Sequence, residues 1–101
     1  MGLEELRKRL DGIDEQLLAL LSRRAQVILE VADFKRQHHL PVHIPEREAA
    51  IMARLRAMNP GPLSGDTLER IYRVLIEEMR KFEFEQSCPS AGGILPQGEK
   101  E

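Results

Sequence analysis

Apolar residues recur at intervals alternating between three and four, at Leu3, Leu6, Leu10, Ile13, Leu17 and Leu20, and again at Val27, Val31 and Phe34. That spacing keeps one face of a 3.6-residue helix apolar and predicts an unbroken amphipathic helix from Leu3 to His38. The step after Leu20 falls on Arg24, and a guanidinium in line with a packed seam is costly to bury unless an anion meets it. At 1.5 Å per residue a helix of about 36 residues is ~54 Å long, more than the rest of a 101-residue chain can cover. Gly12 is its weak interior position, costing about 1 kcal/mol relative to Ala. Pro41 stops the helix, because the residue before a proline is pushed out of helical space, and His38 to Ile44 reads as a connecting loop.

A second helix is expected from Pro45, favoured at a first helical position, with Glu46 where the helix dipole welcomes a negative charge. It runs to about Met58 with an apolar line of Ile51, Met52, Leu55 and Met58. Its N-cap position falls on Ile44, which cannot cap. Asn59-Pro60-Gly61-Pro62 is a turn, and Ser64 or Asp66 can cap a third helix carrying Leu68, Ile71, Tyr72, Leu75, Ile76, Met79 and Phe82 to about Gln86. Laid end to end, the second and third helices could flank only part of the first. The fold expected is all-α: a three-helix protomer with one very long N-terminal helix, intertwined with a second copy as a helical homodimer. The helical domain spans 1–86, and 87–101 has the composition of a disordered tail or linker.

Composition narrows the function classes. Charged residues make up 32% with a net charge of −2, so neither a nucleic-acid footprint nor an acidic tail stands out. Aromatics are 4% and Trp is absent, which leaves an aliphatic, helical core. The single cysteine, Cys88, excludes an intrachain disulfide and a cysteine metal cluster. No signal peptide and no apolar run near the ~20 residues of a membrane span is visible, so the chain is read as soluble and cytoplasmic, binding neither membrane nor nucleic acid.

Several charges stand out by position. Lys35 lies eleven residues after Arg24, about 20° round the helix and ~16 Å along it, hence on the same face. Small Ala32 lies between them. Arg47 and Glu48 border the apolar line of the second helix, Glu83 follows Met79 by four residues on the third, and Arg7 borders Leu6 and Leu10. Each has an ordinary structural role when taken singly: a register-fixing ion pair for Arg24, snorkelling for Lys35, solvated first-turn charges for Arg47 and Glu48, surface charge for Arg7 and Glu83. Together, several cations and two carboxylates at apolar seams suggest a site for a small dianion. His38, His39 and His43 lie in a loop without helical i, i+4 spacing, so no metal site is expected.

The run Leu6-Arg7, Ile13-Asp14, Leu17 to Leu21, Arg24, Lys35, Pro41-Val42, Pro45-Glu46-Arg47-Glu48 and Asn59 to Ser64 resembles the all-helical AroQ class of chorismate mutases, over roughly Leu3 to Gln86. The resemblance implies an interlocked dimer and a cofactor-free Claisen rearrangement of chorismate to prephenate, in phenylalanine and tyrosine biosynthesis. Under it Arg24 and Arg7 would hold carboxylates, Arg7 being contributed by the other subunit. Lys35 would hydrogen-bond the ether oxygen, Glu48 would accept from the ring hydroxyl, and Arg47 would support the carboxylate-binding wall.

Three positions depart from that family's pattern. Glu83 stands where many members have Gln facing the ether oxygen; a carboxylate cannot donate, so burial is expected to keep Glu83 protonated and the rate to fall as pH rises. Ile44 replaces a capping, substrate-contacting Asp, and Met79 replaces a Ser near a carboxylate. The alternatives are an isochorismate-pyruvate lyase, against which Glu48 argues, and a non-catalytic dimerisation or regulatory domain, which the linker-like tail keeps open together with a fused or associated pathway enzyme.

Overall fold

The computed structural model describes residues 2–87. They form three helices, α1 (Leu3–Gln37), α2 (Pro45–Met58) and α3 (Gly65–Ser87). Of the tail or linker read at 87–101, Ser87 ends α3 and the rest, Cys88 included, lies outside the described residues. Among the described residues no helix is long and apolar enough to cross a membrane.

The end of α1 is set by backbone chemistry. The Leu40 N–H donates to the Lys35 carbonyl at 2.8 Å and the His39 N–H to the Arg36 carbonyl at 3.3 Å, the paired bonds of a Schellman closure. The residue turned into the left-handed region is His39, at φ 57°, where glycine is usual. A β-carbon there costs roughly 1 kcal/mol, so His39→Gly raises the stability of the protein by about that amount, measured by urea unfolding. The reversal carries the chain over the last turn of α1, and the Val42 carbonyl accepts a hydrogen bond from Lys35 Nζ at 2.8 Å.

The start of α2 has Pro45 in its first turn and no side-chain cap; Ile44 offers only its carbonyl, which accepts the Arg47 and Glu48 N–H groups at 3.0 and 3.3 Å. The start of α3 is capped by Ser64 rather than Asp66, with Ser64 Oγ accepting the Thr67 N–H at 3.1 Å. Asp66 is taken by Arg56 at the far end of α2, which also binds Glu69. That guanidinium holds both carboxyls below their ordinary range. The intervening turn is closed by Asn59, whose side chain donates to the Leu63 carbonyl at 2.8 Å and accepts the Gly61 N–H at 3.0 Å; Gly61 has φ 78° and the Gly61–Pro62 peptide is cis.

α2 and α3 do not run end to end along α1. α2 folds back on α3, and α3 packs against both neighbours. The core is small: Ala32 of α1, Ile51 of α2 and Ile76 of α3 are buried. Met58, expected on the apolar line of α2, is exposed, and Arg54 donates to its sulfur. α3 covers only the C-terminal third of α1. Every residue from Leu3 to Arg23 is exposed, and the seam residues Leu3, Leu6, Leu10, Ile13, Leu17 and Leu20 are between 41% and 62% accessible. Among the described residues, this continuous apolar stripe has no partner within the protomer.

Candidate active site

The covered end of α1, the first turn of α2 and the last turns of α3 converge on one cavity of about 270 Å³, near the lower end for small-molecule sites. α1 supplies Arg24 and Lys35 from one face, with Val27, Ile28 and Val31 between them. α2 supplies Arg47 and Glu48, backed by Ile51, and the loop adds Val42 and Ile44. Ile76, Met79, Arg80 and Glu83 project from α3.

Lys35 is held on two sides. Its Nζ donates to the Val42 carbonyl at 2.8 Å and faces Glu83 Oε2 at 2.7 Å. The second contact is an ion pair lying off the hydrogen-bonding direction, so Oε2 is buried without a directed hydrogen bond. The Lys35 and Glu83 side chains are 14% and 7% exposed, so water screens the pair weakly. Glu48 has two partners at lesser burial: Arg80 Nε donates to its Oε2 at 3.2 Å, and His43 Nε2 lies 3.4 Å from its Oε1.

Charge pairing is therefore incomplete. Arg24, Lys35, Arg47 and Arg80 face the cavity against Glu48 and Glu83, an excess of two positive charges. Lys35 and Arg80 are matched by the two carboxylates, whereas Arg24 and Arg47 make no ion pair among the described residues. Arg24 is half-buried on an apolar wall and Arg47 is exposed at the rim. Two unpaired guanidiniums over an apolar floor accommodate two carboxylates of one small molecule.

Seven of the eight positions singled out in the sequence line this one cavity: Arg24, Lys35, Ile44, Arg47, Glu48, Met79 and Glu83. Arg7 does not. It is exposed seventeen residues before Arg24, ~26 Å up the helix, and cannot reach the cavity of its own protomer. Ile44 and Met79 present apolar surface. The buried Glu83 pairs with Lys35, a partnership that the sequence did not indicate. The three loop histidines diverge: His38 stacks on Phe34 with ring centroids 4.0 Å apart, His39 closes α1, and His43 faces Glu48. Among the described residues no three His, Cys, Asp or Glu side chains converge as a metal site requires.

Arg80 and the Val42 carbonyl were missed. A signal for Arg80 existed, since it follows the buried Ile76 by four residues, the rule that singled out Glu83 after Met79. A backbone carbonyl has no residue type to read.

Residues 6–84 match the family model described as chorismate mutase type II. The chain is 38% identical over 78 residues to a bifunctional chorismate mutase/prephenate dehydratase of Aquifex aeolicus, covering 73% of this chain and 22% of that one; it thus spans about a fifth of that relative's length. It is 34% identical over 76 residues to a chorismate mutase of Methanocaldococcus jannaschii, covering 74% of this chain and 77% of the other. Among solved structures it resembles the chorismate mutase of Helicobacter pylori crystallised with prephenate, with a TM-score of 0.77 and 32% identity over 83% of this chain and 91% of that one.

Proposed function

The chain belongs to the chorismate mutase type II family, and from that premise we propose that it rearranges chorismate to prephenate without a cofactor. The observation that carries the reading is the cavity's excess of two positive charges, held by Arg24 and Arg47 after Lys35 and Arg80 have been matched. Chorismate is a dianion of fitting size and charge.

The reaction is intramolecular. The ether C–O bond of the enolpyruvyl arm breaks as a C–C bond forms between the arm and the ring, and no atom is gained or lost. The protein must hold the arm over the ring and stabilise the negative charge that grows on the ether oxygen. Arg24 holds one carboxylate, and Arg47 supports the wall against which Arg7 of a second copy holds the other. Lys35, aimed by Val42, donates to the ether oxygen, and Glu48 accepts from the ring hydroxyl.

Glu83 faces the same ether oxygen. Its carboxylate, paired with Lys35, accepts and cannot itself donate to the developing charge, whereas an amide there can. Glu83→Gln places a donor at the same spot without the repelling charge, so its kcat/KM equals or exceeds that of the wild type. Steady-state kinetics of both proteins check this, and a Glu83→Gln protein that loses turnover contradicts it.

A second copy covers the apolar stripe of α1 and brings its Arg7 to the cavity. The uncovered seam from Leu3 to Leu20 supports this part of the reading, since a stripe of that length is stabilised in water by an equivalent helix. The test of the activity is loss of chorismate absorbance on addition of the purified chain, with the product identified. Prephenate is expected. Salicylate plus pyruvate, or no turnover, overturns the proposal.

A further inference from the structure

We infer that Arg80 is a positioning residue, which acts through Glu48 to orient the substrate's ring hydroxyl. The inference rests on the proposed mutase activity and extends it to a side chain outside the resemblance-derived set. Glu48 sits in the first turn of α2, whose cap residue, Ile44, makes no side-chain capping hydrogen bond. Nothing in its own helix holds the carboxylate. The two groups that do come from outside: Arg80 from α3 at 3.2 Å and His43 from the loop at 3.4 Å.

Of these two, Arg80 is the lasting partner. A guanidinium is charged at every working pH, whereas a histidine is charged only when protonated. The Arg80 side chain is 32% exposed against 51% for His43, so its contact is less screened. Arg80 engages Glu48 through Nε alone. A carboxylate offers about four lone-pair sites, and this single bond leaves room for a substrate hydroxyl. An untethered Glu side chain would have to be ordered afresh in each substrate complex.

α2 is also fastened to α3 away from Arg80. The opposite end of α2 is tied by Arg56 to Asp66 and Glu69. Arg56→Ala therefore serves as the control for a structural tie, expected to lower Tm with turnover unchanged.

The test is a double-substitution cycle on the full chain. Arg80→Ala lowers kcat/KM by roughly 10- to 100-fold, the range expected when a substrate-orienting group is displaced, and Arg80→Lys restores part of it. In a Glu48→Gln background the same Arg80→Ala change has less than about a 2-fold effect, because the group it positions is already altered. Independent of turnover, the Glu48 carboxyl ¹³C resonance, assigned by comparison with Glu48→Gln, moves in Arg80→Ala and lies closer to its wild-type position in Arg80→Lys. An unimpaired Arg80→Ala enzyme, losses that multiply in the double variant, or an unmoved Glu48 resonance overturns the inference. A wild-type chain inert towards chorismate overturns the mutase reading instead, and the resonance still decides whether Arg80 holds Glu48.

Discussion

Lys35→Ala reduces kcat by on the order of 10²- to 10³-fold, the loss seen when one donor to a developing oxyanion is removed. The ammonium is already aimed before substrate arrives, by the Val42 carbonyl at 2.8 Å and Glu83 at 2.7 Å, so little reorganisation accompanies the reaction. The same substitution leaves the buried Glu83 carboxylate without its cation. Breaking such a pair on one side costs about 3 kcal/mol or more, and urea unfolding should register that loss. The double variant Lys35→Met with Glu83→Gln separates the two roles, since it removes the stranded charge and recovers stability while turnover stays low. Recovery of turnover along with stability would make Lys35 a structural residue only.

Arg24→Ala has the opposite thermodynamic signature. Arg24 is half-buried on the seam of α1 and makes no ion pair among the described residues, so its removal strands no anion. Stability is unchanged or slightly raised, because an uncompensated guanidinium on an apolar wall is itself unfavourable. Turnover falls by roughly 100-fold in kcat/KM, as expected when a charge-assisted hydrogen bond worth about 1.5–3 kcal/mol is lost. Kinetics and thermal unfolding of the same preparation give both quantities. A protein that loses stability while whatever folds keeps its activity would assign Arg24 to packing.

Helix boundaries were legible because two strong physical signals coincide in this chain. Seam spacing defines α1 and α3, and Pro41, Pro45 and the Asn59 to Pro62 turn punctuate them. The closure of α1 was harder to read, because the left-handed position is filled by His39 rather than Gly. Within the site, Arg24, Lys35, Glu48 and Glu83 could be found because a charge beside an apolar line is visible along one helix. Arg80 follows Ile76 at the same four-residue spacing, but its importance comes from Glu48 on a different helix, and periodicity registers position about a helix's own axis, not what faces it. The Lys35–Glu83 pair escaped for the same reason: the seam pattern marks each residue and leaves the packing of α3 on α1 undetermined. The exposed stripe from Leu3 to Leu20 was legible as an excess of helix over the chain available to cover it.

The proposal that a neighbour's arginine completes the site would link that stripe to the chemistry, and complementation between inactive variants tests the link. Arg7→Ala and Arg24→Ala are each expected to be nearly inert as homodimers, since every site lacks one carboxylate-binding arginine. Co-expressed with distinct tags, they form mixed dimers in which one site carries both substitutions and the other carries neither. At random pairing half the dimers are mixed, so the population regains roughly a quarter of wild-type activity. The purified mixed dimer regains about half. Failure of the mixed dimer to exceed its parents, or full activity of Arg7→Ala alone, would contradict a site shared between subunits.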